Sequence, residues 1–276
     1  MALKRIMVAL GGSEYMEVAM KTACSIAARH GGELYGVALR DATLVDPHDP
    51  TPIGGAAAAA DARGEREESV AFGMHEALTR FDDLCTERNI PHQSVELDGD
   101  AVEQLTEEMR LMDLGIFGIR HSFDYGAVSH PDDFLAHVAR ASRRPILALP
   151  TPAKPIKRVL VAYDGSLPAA DALRSFAVLH AFDIEHVRVV ASNDHGIDAK
   201  AAIDEARAYL TAHGLNNDGQ ELSGTPAPAI LEHARAWEAD LIVLGSVGRG
   251  SFMKLVMGDT ASALLAESAI PLFFRA

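Results

Sequence analysis

Residues 156–166 read IKRVLVAYDGS, a short run of apolar residues that is closed by a polar Asp-Gly-Ser turn. Residues 3–13 read LKRIMVALGGS and repeat this pattern, with Lys-Arg, Ala and Gly-Ser at matching places. An apolar run of this length is typical of a buried strand, and the turn after it indicates where the chain leaves the sheet. The same strand and turn therefore open each half of the chain.

Two further landmarks recur in the same order in both halves. They are DLGIFG at 113–118 with DLIVLG at 240–245, and PILAL at 145–149 with PLFFR at 271–275. Three landmarks in one order indicate an internal repeat. We therefore predict two domains, residues 1–152 and 153–276, joined by the proline-containing linker TPAKP at 151–155.

Between the landmarks, short Val, Ile and Leu runs alternate with longer amphipathic stretches, which is typical of a parallel sheet covered by helices. Strands are predicted near 4–9, 33–39, 92–97, 113–118, 145–149, 157–162, 186–191, 218–222, 240–244 and 270–274. Helices are predicted near 15–30, 65–88, 100–111, 132–143, 167–181, 198–213, 226–238 and 259–268. Each half is thus a predicted doubly wound, Rossmann-like α/β unit with a five-stranded parallel sheet. Such units bind ligands beyond the carboxyl ends of the strands, where the strand order reverses.

The first half carries an insertion at residues 41–64 that the second half lacks. This segment is rich in Pro, Gly and Ala, and it includes an alanine run at 56–60. Its composition predicts a mobile insertion or flap of low complexity.

Composition narrows the class of protein. The formal net charge of −14 disfavours extended contact with nucleic acid or anionic lipid, because both require a basic surface. No apolar run reaches the roughly 18 residues of a membrane helix, and the run after Lys4 and Arg5 is too short for a signal peptide. Cys24 and Cys85 lack metal-ligand spacing and are expected to be buried in helices. We therefore expect a cytoplasmic protein without a metal site.

A glycine-spaced loop follows the fourth predicted strand of the second half. Residues 245–260 read GSVGRGSFMKLVMGDT and lead from a buried strand to the start of a helix. Glycine lets backbone N–H groups approach an anion, and the helix N-terminus adds unpaired donors and a positive dipole end. The loop is therefore predicted to bind phosphate, although the glycines taken singly also fit a flexible turn. It matches neither the dinucleotide fingerprint GxGxxG nor the Walker sequence GxxxxGK[ST].

The loop resembles the G-x2-G-x9-G-[ST] motif of universal stress proteins, with Gly245, Gly248 and Gly258 in register. The opening segment VAYDGS at 161–166 and the closing IPLFF at 270–274 are similar to the same family. This resemblance covers essentially the whole chain as two copies. It implies the strand order 3-2-1-4-5 in each copy and a bound adenine nucleotide, ATP or the shorter ADP or AMP.

The resemblance also implies which residues hold the adenosine. Ala162 and Val190 would flank the adenine through backbone and apolar contact. Asp164 would hold the ribose hydroxyls, although an Asp before Gly is also common turn chemistry. Leu244 and Gly245 would close over the sugar.

The phosphates would lie on the glycine-spaced loop and on the helix after it. The residues implied there are Gly248, Gly258, Asp259 and Thr260. Arg249 and Lys254 would neutralise phosphate charge, or remain solvated loop cations.

Asp259 departs from the family motif, which has Ser or Thr after the last glycine. A carboxylate only accepts hydrogen bonds and repels a bare triphosphate. Three arrangements follow. Asp259 caps its own helix and leaves Thr260 to the phosphates, or it reaches them through a divalent cation such as Mg²⁺, or the site prefers a shorter nucleotide.

The first half lacks the two features that carry the resemblance. Gly11 stands at the position of Asp164, and residues 118–126 read GIRHSFDYG without a second glycine at the matching spacing. Because both features are missing from the same copy, we expect a degenerate domain without a standard nucleotide site in residues 1–152.

These observations favour a nucleotide-binding protein of regulatory or stress-response type rather than an enzyme. Any ATP hydrolysis would be weak, because no general base or metal-binding pair is apparent beyond Asp259. The alternatives are an ATP-using enzyme of the slow ATPase or adenylating type, and a ligand-free scaffold.

The resemblance implies an arrangement of the two halves as well. In the family, the last strand of each unit pairs across a dimer interface. Residues 145–149 and 271–274 would then face each other within one chain, which would make it an intramolecular pseudo-dimer. A homodimer of whole chains is a further expectation that the sequence leaves open.

Overall fold

The computed structural model of the chain describes most of both halves. The described residues are 3–41, 56–120, 123, 134–152, 154–193, 198–245 and 259–275, without the side chains of 56–63, Arg66 and Asp259. The first part of the predicted insertion and most of the glycine-spaced loop lie outside these ranges.

In the first half, strands and helices alternate along the chain. The strands are β1 (Arg5–Ala9), β2 (Glu33–Asp41), β3 (His92–Gly99), β4 (Leu114–Gly118) and β5 (Ile146–Leu149). The helices are α1 (Glu14–His30), α2 (Ala56–Glu87), α3 (Ala101–Met109) and α4 (Phe134–Ser142). Apart from the start of α2, these bounds agree with the predicted ones to within a few residues.

The second half repeats this order. Its strands are β6 (Arg158–Ala162), β7 (His186–Ser192), β8 (Asn217–Leu222), β9 (Leu241–Gly245) and β10 (Leu272–Arg275). Its helices are α5 (Leu167–Leu179), α6 (Ala199–Ala212), α7 (Pro226–Ala236) and α8 (Asp259–Glu267). All of them were predicted from the apolar periodicity.

Helix α2 begins at Ala56, inside the segment that composition assigned to a low-complexity insertion. Alanine has the highest helix propensity of all residues, so the run at 56–60 extends the helix instead of interrupting it. The prediction of a flap was therefore wrong for residues 56–64. Within the ranges that the structure describes, no helix, α2 included, is both long and apolar enough to cross a membrane.

The strands that the structure describes form one sheet of ten, in the order β3-β2-β1-β4-β5-β10-β9-β6-β7-β8. Each half keeps the predicted order 3-2-1-4-5 with parallel neighbours. The two predicted five-stranded units are joined into this one sheet, because β5 and β10 pair in antiparallel register, with Phe273 opposite Leu147, as the family resemblance implied. Pairing of the two last strands removes two apolar edges that would otherwise invite aggregation.

The joint between β5 and β10 is part of the hydrophobic core. Ile146, Leu147 and Phe273 are each at most 1% exposed. The ring of Phe273 packs edge to face on Phe176 of α5, with 6.1 Å between centroids. The two halves therefore share one continuous sheet and one core.

Both cysteines lie in this core, as expected for helical cysteines. Cys24 of α1 and Cys85 of α2 are 1% and 0% exposed. A hydrogen bond between the two thiols lowers the pKa of Cys24 and raises that of Cys85, which burial raises further. The contact between Cys24 and Cys85 joins α1 to α2 in the first half.

Polar contacts between the ends of α1 and α5 also connect the halves. The Nε2 atom of His30 lies 3.1 Å from the carbonyl oxygen of His180, which follows α5. Arg29 lies 3.8 Å from the carboxylate of Asp183. These contacts occur where both helices end.

Burial lowers the pKa of His30, and the positive charges of Arg29, His180 and Lys4 lower it further. The unfolded chain, with a histidine pKa of about 6.5, therefore binds more protons than the folded chain just below that pH. Consequently, the free energy of unfolding should fall as the pH drops below about 6.5. His233, whose pKa is also lowered by burial, adds to the same trend.

We expect His30→Gln to reduce this pH dependence without abolishing it. The measurement is the urea midpoint of wild type and variant at pH 7.5 and pH 5.5. The variant should lose less stability than wild type between the two conditions. An equal loss in both proteins would show that His30 does not take part.

Candidate functional site

The carboxyl ends of β6 and β9 lie next to each other in the sheet. Strand β6 lies between β7 and β9 in the sheet. From β6 the chain continues to β7 and β8 on one side, and then crosses to β9 and β10 on the other side. The strand order therefore reverses between β6 and β9. Crevices at such switch points are the usual ligand sites of doubly wound folds.

The structure brings together the two residues predicted to flank an adenine. Ala162 of β6 and Val190 of β7 are partners in the parallel register. The backbone N–H of Tyr163 donates to the carbonyl oxygen of Val190 at 3.0 Å. Val190 is 1% exposed, whereas Ala162 is half-buried and packs against the core.

Asp164 forms the turn between β6 and α5. One oxygen of its carboxylate accepts a hydrogen bond from the backbone N–H of Ser166 at 2.9 Å. Gly165 between them has a φ of 72°, a left-handed conformation that favours glycine. Ser166 then caps α5 by accepting from the N–H of Ala169 at 3.3 Å. Asp164 is thus a turn residue, and a carboxylate that makes one such bond still has acceptor capacity for a ligand.

Gly245 ends β9 directly against the first turn of α5. A Cβ atom at this position would lie 2.5 Å from the backbone nitrogen of Ala169 and 2.7 Å from the carbonyl carbon of Pro168. Only glycine allows this approach without a shift of backbone. Leu244, the residue before it, is 4% exposed. Gly245 contacts the first turn of α5, and the Asp164 turn leads into the same turn of that helix. Both therefore lie at the carboxyl end of the sheet, next to the start of α5.

The structure describes only part of the segment that was predicted to bind phosphate. Asp259 is the first residue of α8, and Thr260 after it is half-buried. Gly248, Arg249 and Gly258, together with Lys254, lie outside the described residues.

The first half has the same backbone at its own switch point but different side chains. The N–H of Leu10 donates to the carbonyl oxygen of Val37 at 2.8 Å, as that of Tyr163 does in the second half. Leu10 is fully buried, and Gly11 follows it where the second half has an aspartate. The first half therefore offers no carboxylate at this point of the turn.

Aromatic side chains pack at the start of α4, the counterpart of α8. Phe123 lies edge to face with both Phe117 of β4 and Phe134, the first residue of α4, at 6.5 Å between centroids in each pair. Phe123 and Phe134 are 3% and 5% exposed. Apolar rings at a helix N-terminus do not bind phosphate, which requires N–H donors or cations.

The family model described as the universal stress protein family matches residues 155–274. Residues 155–274 thus form a domain of the universal stress protein family. The matched segment contains the Asp164 turn, the end of β9 and helix α8. The resemblance inferred from the glycine-spaced loop is thereby confirmed.

Two curated relatives are stress proteins as well. Universal stress protein Slr1230 of Synechocystis sp. is 28% identical over 179 residues, which are 64% of this chain and 61% of that protein. Stress response protein NhaX of Bacillus subtilis is 41% identical over 69 residues, which are 25% of this chain and 42% of that protein. The matches thus span less than two thirds of the length of either relative.

Solved structures of this family share the fold over the whole chain. A universal stress protein from Archaeoglobus fulgidus has a TM-score of 0.67 at 19% identity, over 98% of this chain and 97% of that chain. A putative universal stress protein from Pseudomonas aeruginosa has a TM-score of 0.60 at 17% identity, over 99% and 93%. The predicted α/β fold class is confirmed.

The structure adds residues at the edge of the site that the sequence did not suggest. Tyr163 is 4% exposed, and burial together with the carboxylate of Glu205 raises its pKa to about 12. Asn193, directly after β7, accepts from the N–H of Ala199 at 3.0 Å and donates to Glu221 at 3.0 Å. These bonds join β7 and β8 to α6. For Asn193, the only sequence signal was its place between a predicted strand and a predicted helix, where Asn commonly forms turns.

Carboxylates and histidines of the described residues do not converge into a metal site. No group of three or more His, Cys, Asp or Glu side chains within those residues is arranged to hold a metal ion.

Proposed function

We propose that the second half of this chain binds an adenine nucleotide, ATP or the shorter ADP or AMP. The observation that carries the proposal is the convergence of Asp164 and Gly245 at the switch point between β6 and β9. A carboxylate there suits the ribose hydroxyls. The missing Cβ of Gly245 lets β9 end directly against the first turn of α5, which brings the end of β9 close to the Asp164 turn. The paired backbones of Ala162 and Val190 provide a flat edge for the adenine.

The phosphates would lie between the glycine-spaced loop and the N-terminus of α8. The residues proposed to line them are Gly248, Arg249, Gly258, Asp259 and Thr260. Because α8 starts at Asp259, its first backbone N–H groups lack helical partners and are available to an anion. Thr260 would supply the hydroxyl that the family motif places one residue earlier. The negative charge of Asp259 would be stabilised by the positive end of the helix dipole. Asp259 would contact the phosphates only through a cation such as Mg²⁺.

The nucleotide would bind to the second half alone. The turn of the first half has Gly11 in place of the aspartate, and Phe123 and Phe134 occupy the start of α4. We propose a regulatory role in which the bound nucleotide stabilises one conformation for a partner. Incubation with ATP should then yield retained nucleotide without multiple turnover. Multiple turnover would favour the ATP-using enzyme, and no binding would favour the ligand-free scaffold.

We expect Asp164→Asn to weaken ATP binding by about 10- to 100-fold, the range for loss of hydrogen bonds to a charged group. Asparagine keeps an oxygen that can accept from the N–H of Ser166, so the turn should persist. Isothermal titration calorimetry with ATP and with 2′,3′-dideoxy-ATP measures the effect. Wild type should bind the dideoxy analogue more weakly than ATP, whereas the variant should hardly distinguish the two.

Asp100→Asn is the matched control, because Asp100 caps α3 in the first half by accepting from the N–H of Glu103 at 2.9 Å. It should bind ATP like wild type. Equal discrimination between ATP and its dideoxy analogue in wild type and Asp164→Asn would remove Asp164 from the ribose site.

The pairing of β5 with β10 supports the pseudo-dimer as part of this proposal. The two halves would correspond to the two subunits of a dimer whose last strands meet, with only one nucleotide site retained. Association of whole chains remains a separate prediction.

A further inference from the structure

Arg120 of the first half reaches a helix of the second half. Strand β4 ends at Gly118, and the N–H of Ile119 donates to the carbonyl oxygen of Leu149 in β5 at 2.9 Å. The next residue, Arg120, donates from Nη2 to the carbonyl oxygen of Ala266 at 2.7 Å. Because β5 pairs with β10, this contact lies beside the joint between the halves.

Ala266 lies in the last turn of α8, whose terminal carbonyl groups lack helical N–H partners. A cation at this end of a helix is favourable, because it meets both the free carbonyls and the negative end of the dipole. Helix α8 has no basic residue of its own in the last turn, and it ends with Glu267. Arg120 therefore supplies from the other half the charge that α8 lacks.

The counterpart helix in the first half differs in its own charges. Helix α4, the counterpart of α8, has Arg140 in its own last turn. By the repeat, the residue that corresponds to Arg120 is Val247, and valine has no side-chain donor with which to return the contact. The first half thus supports the helix of the second half, and its own helix carries its own cation.

We propose that Arg120 is a positioning residue for the nucleotide site and that the degenerate half holds α8 in place through it. The inference rests on the proposed function, in which the N-terminus of α8 faces the phosphates. Helix α8 has nine residues, which is about 13 Å, and so short a helix is marginal without outside support. Fixing its carboxyl end therefore also fixes the direction of its N-terminal N–H groups.

The test compares wild type, Arg120→Ala and Arg120→Lys in the full chain by two measurements. Amide hydrogen exchange of residues 260–267 without nucleotide reports on α8 alone. Calorimetric titration with ATP and with adenosine reports on the site. In Arg120→Ala, exchange and the Kd for ATP should each rise about 2- to 5-fold, the range for one cation at a helix end. Arg120→Lys should recover part of both effects.

Adenosine distinguishes positioning from a general structural role. It has no phosphates, so its Kd should not change in Arg120→Ala. Arg140→Ala is the matched control, since it removes the corresponding cation from α4, and it should change neither the ATP affinity nor exchange in α8.

Unchanged exchange in Arg120→Ala would overturn the contact itself. Faster exchange with an unchanged Kd for ATP, or an equal loss of ATP and adenosine affinity, would overturn the positioning role. A wild-type chain that binds neither ligand would refute the proposed function and this role together, while the exchange data would still show whether Arg120 holds α8.

Discussion

Replacing Gly245 with alanine is expected to lower the free energy of unfolding by about 3 kcal/mol, the upper end of the usual cost of overpacking, and to abolish ATP binding. The new Cβ would lie 2.5 Å from the backbone nitrogen of Ala169 and 2.7 Å from the carbonyl carbon of Pro168. Neither atom belongs to a flexible side chain, so β9 and α5 must separate. That separation displaces the Asp164 turn, which is bonded to the same helix through Ser166.

The measurements are urea unfolding followed by circular dichroism, and ATP titration at a temperature where the variant is still folded. Gly64→Ala is the matched control, because a Cβ at Gly64 of α2 would meet nothing within 4 Å. It should leave stability unchanged or raise it by up to about 1 kcal/mol, since alanine is the better helix former. A Gly245→Ala variant that is as stable as wild type and binds ATP normally would contradict the described packing.

The second large effect is expected from Phe273→Ala at the joint between the halves. Truncation of a buried phenylalanine typically costs about 3–5 kcal/mol. Phe273 is 1% exposed, pairs with Leu147 of β5 and packs on Phe176 of α5. The variant should therefore lose contacts with both halves at once. Phe72→Ala is the control, since the side chain of Phe72 is 70% exposed, and its stability change should stay within about 0.5 kcal/mol.

Two probes show whether the joint couples the halves. Trp237 is the single tryptophan of the chain and lies in the second half, so its fluorescence reports on that half, whereas circular dichroism reports on both. We expect the two urea midpoints to coincide in wild type and to shift together in Phe273→Ala. A fluorescence midpoint that shifts alone would show that the halves unfold independently despite the shared sheet.

The fold could be predicted from the sequence because its signals are local. Apolar runs such as IKRVLVA mark each strand, and the internal repeat places the second copy. The joining of two sheets into one is a long-range pairing that periodicity does not contain, and only the family resemblance pointed to it. Helix α2 was predicted too short, because an alanine run can indicate either low complexity or a helix.

For the candidate site, the sequence predicts residue types but not their geometry. The resemblance pointed to Asp164 and Gly245, yet no sequence pattern shows that a Cβ at Gly245 would touch the backbone of α5. The contacts of Arg120 and Tyr163 were not predicted, because their partners Ala266 and Glu205 are distant in sequence. Phe123 packs on Phe117 and Phe134, which are closer in sequence, but no sequence pattern indicates that packing.

The most direct test of the account is a crystal structure of the full chain grown with ATP and Mg²⁺. The account predicts nucleotide density in the second half only, with the adenine beside Ala162 and Val190, the ribose at Asp164 and the phosphates at the N-terminus of α8. Nucleotide bound beside Gly11 in the first half, or a second-half crevice that stays empty at saturating ATP, would contradict it.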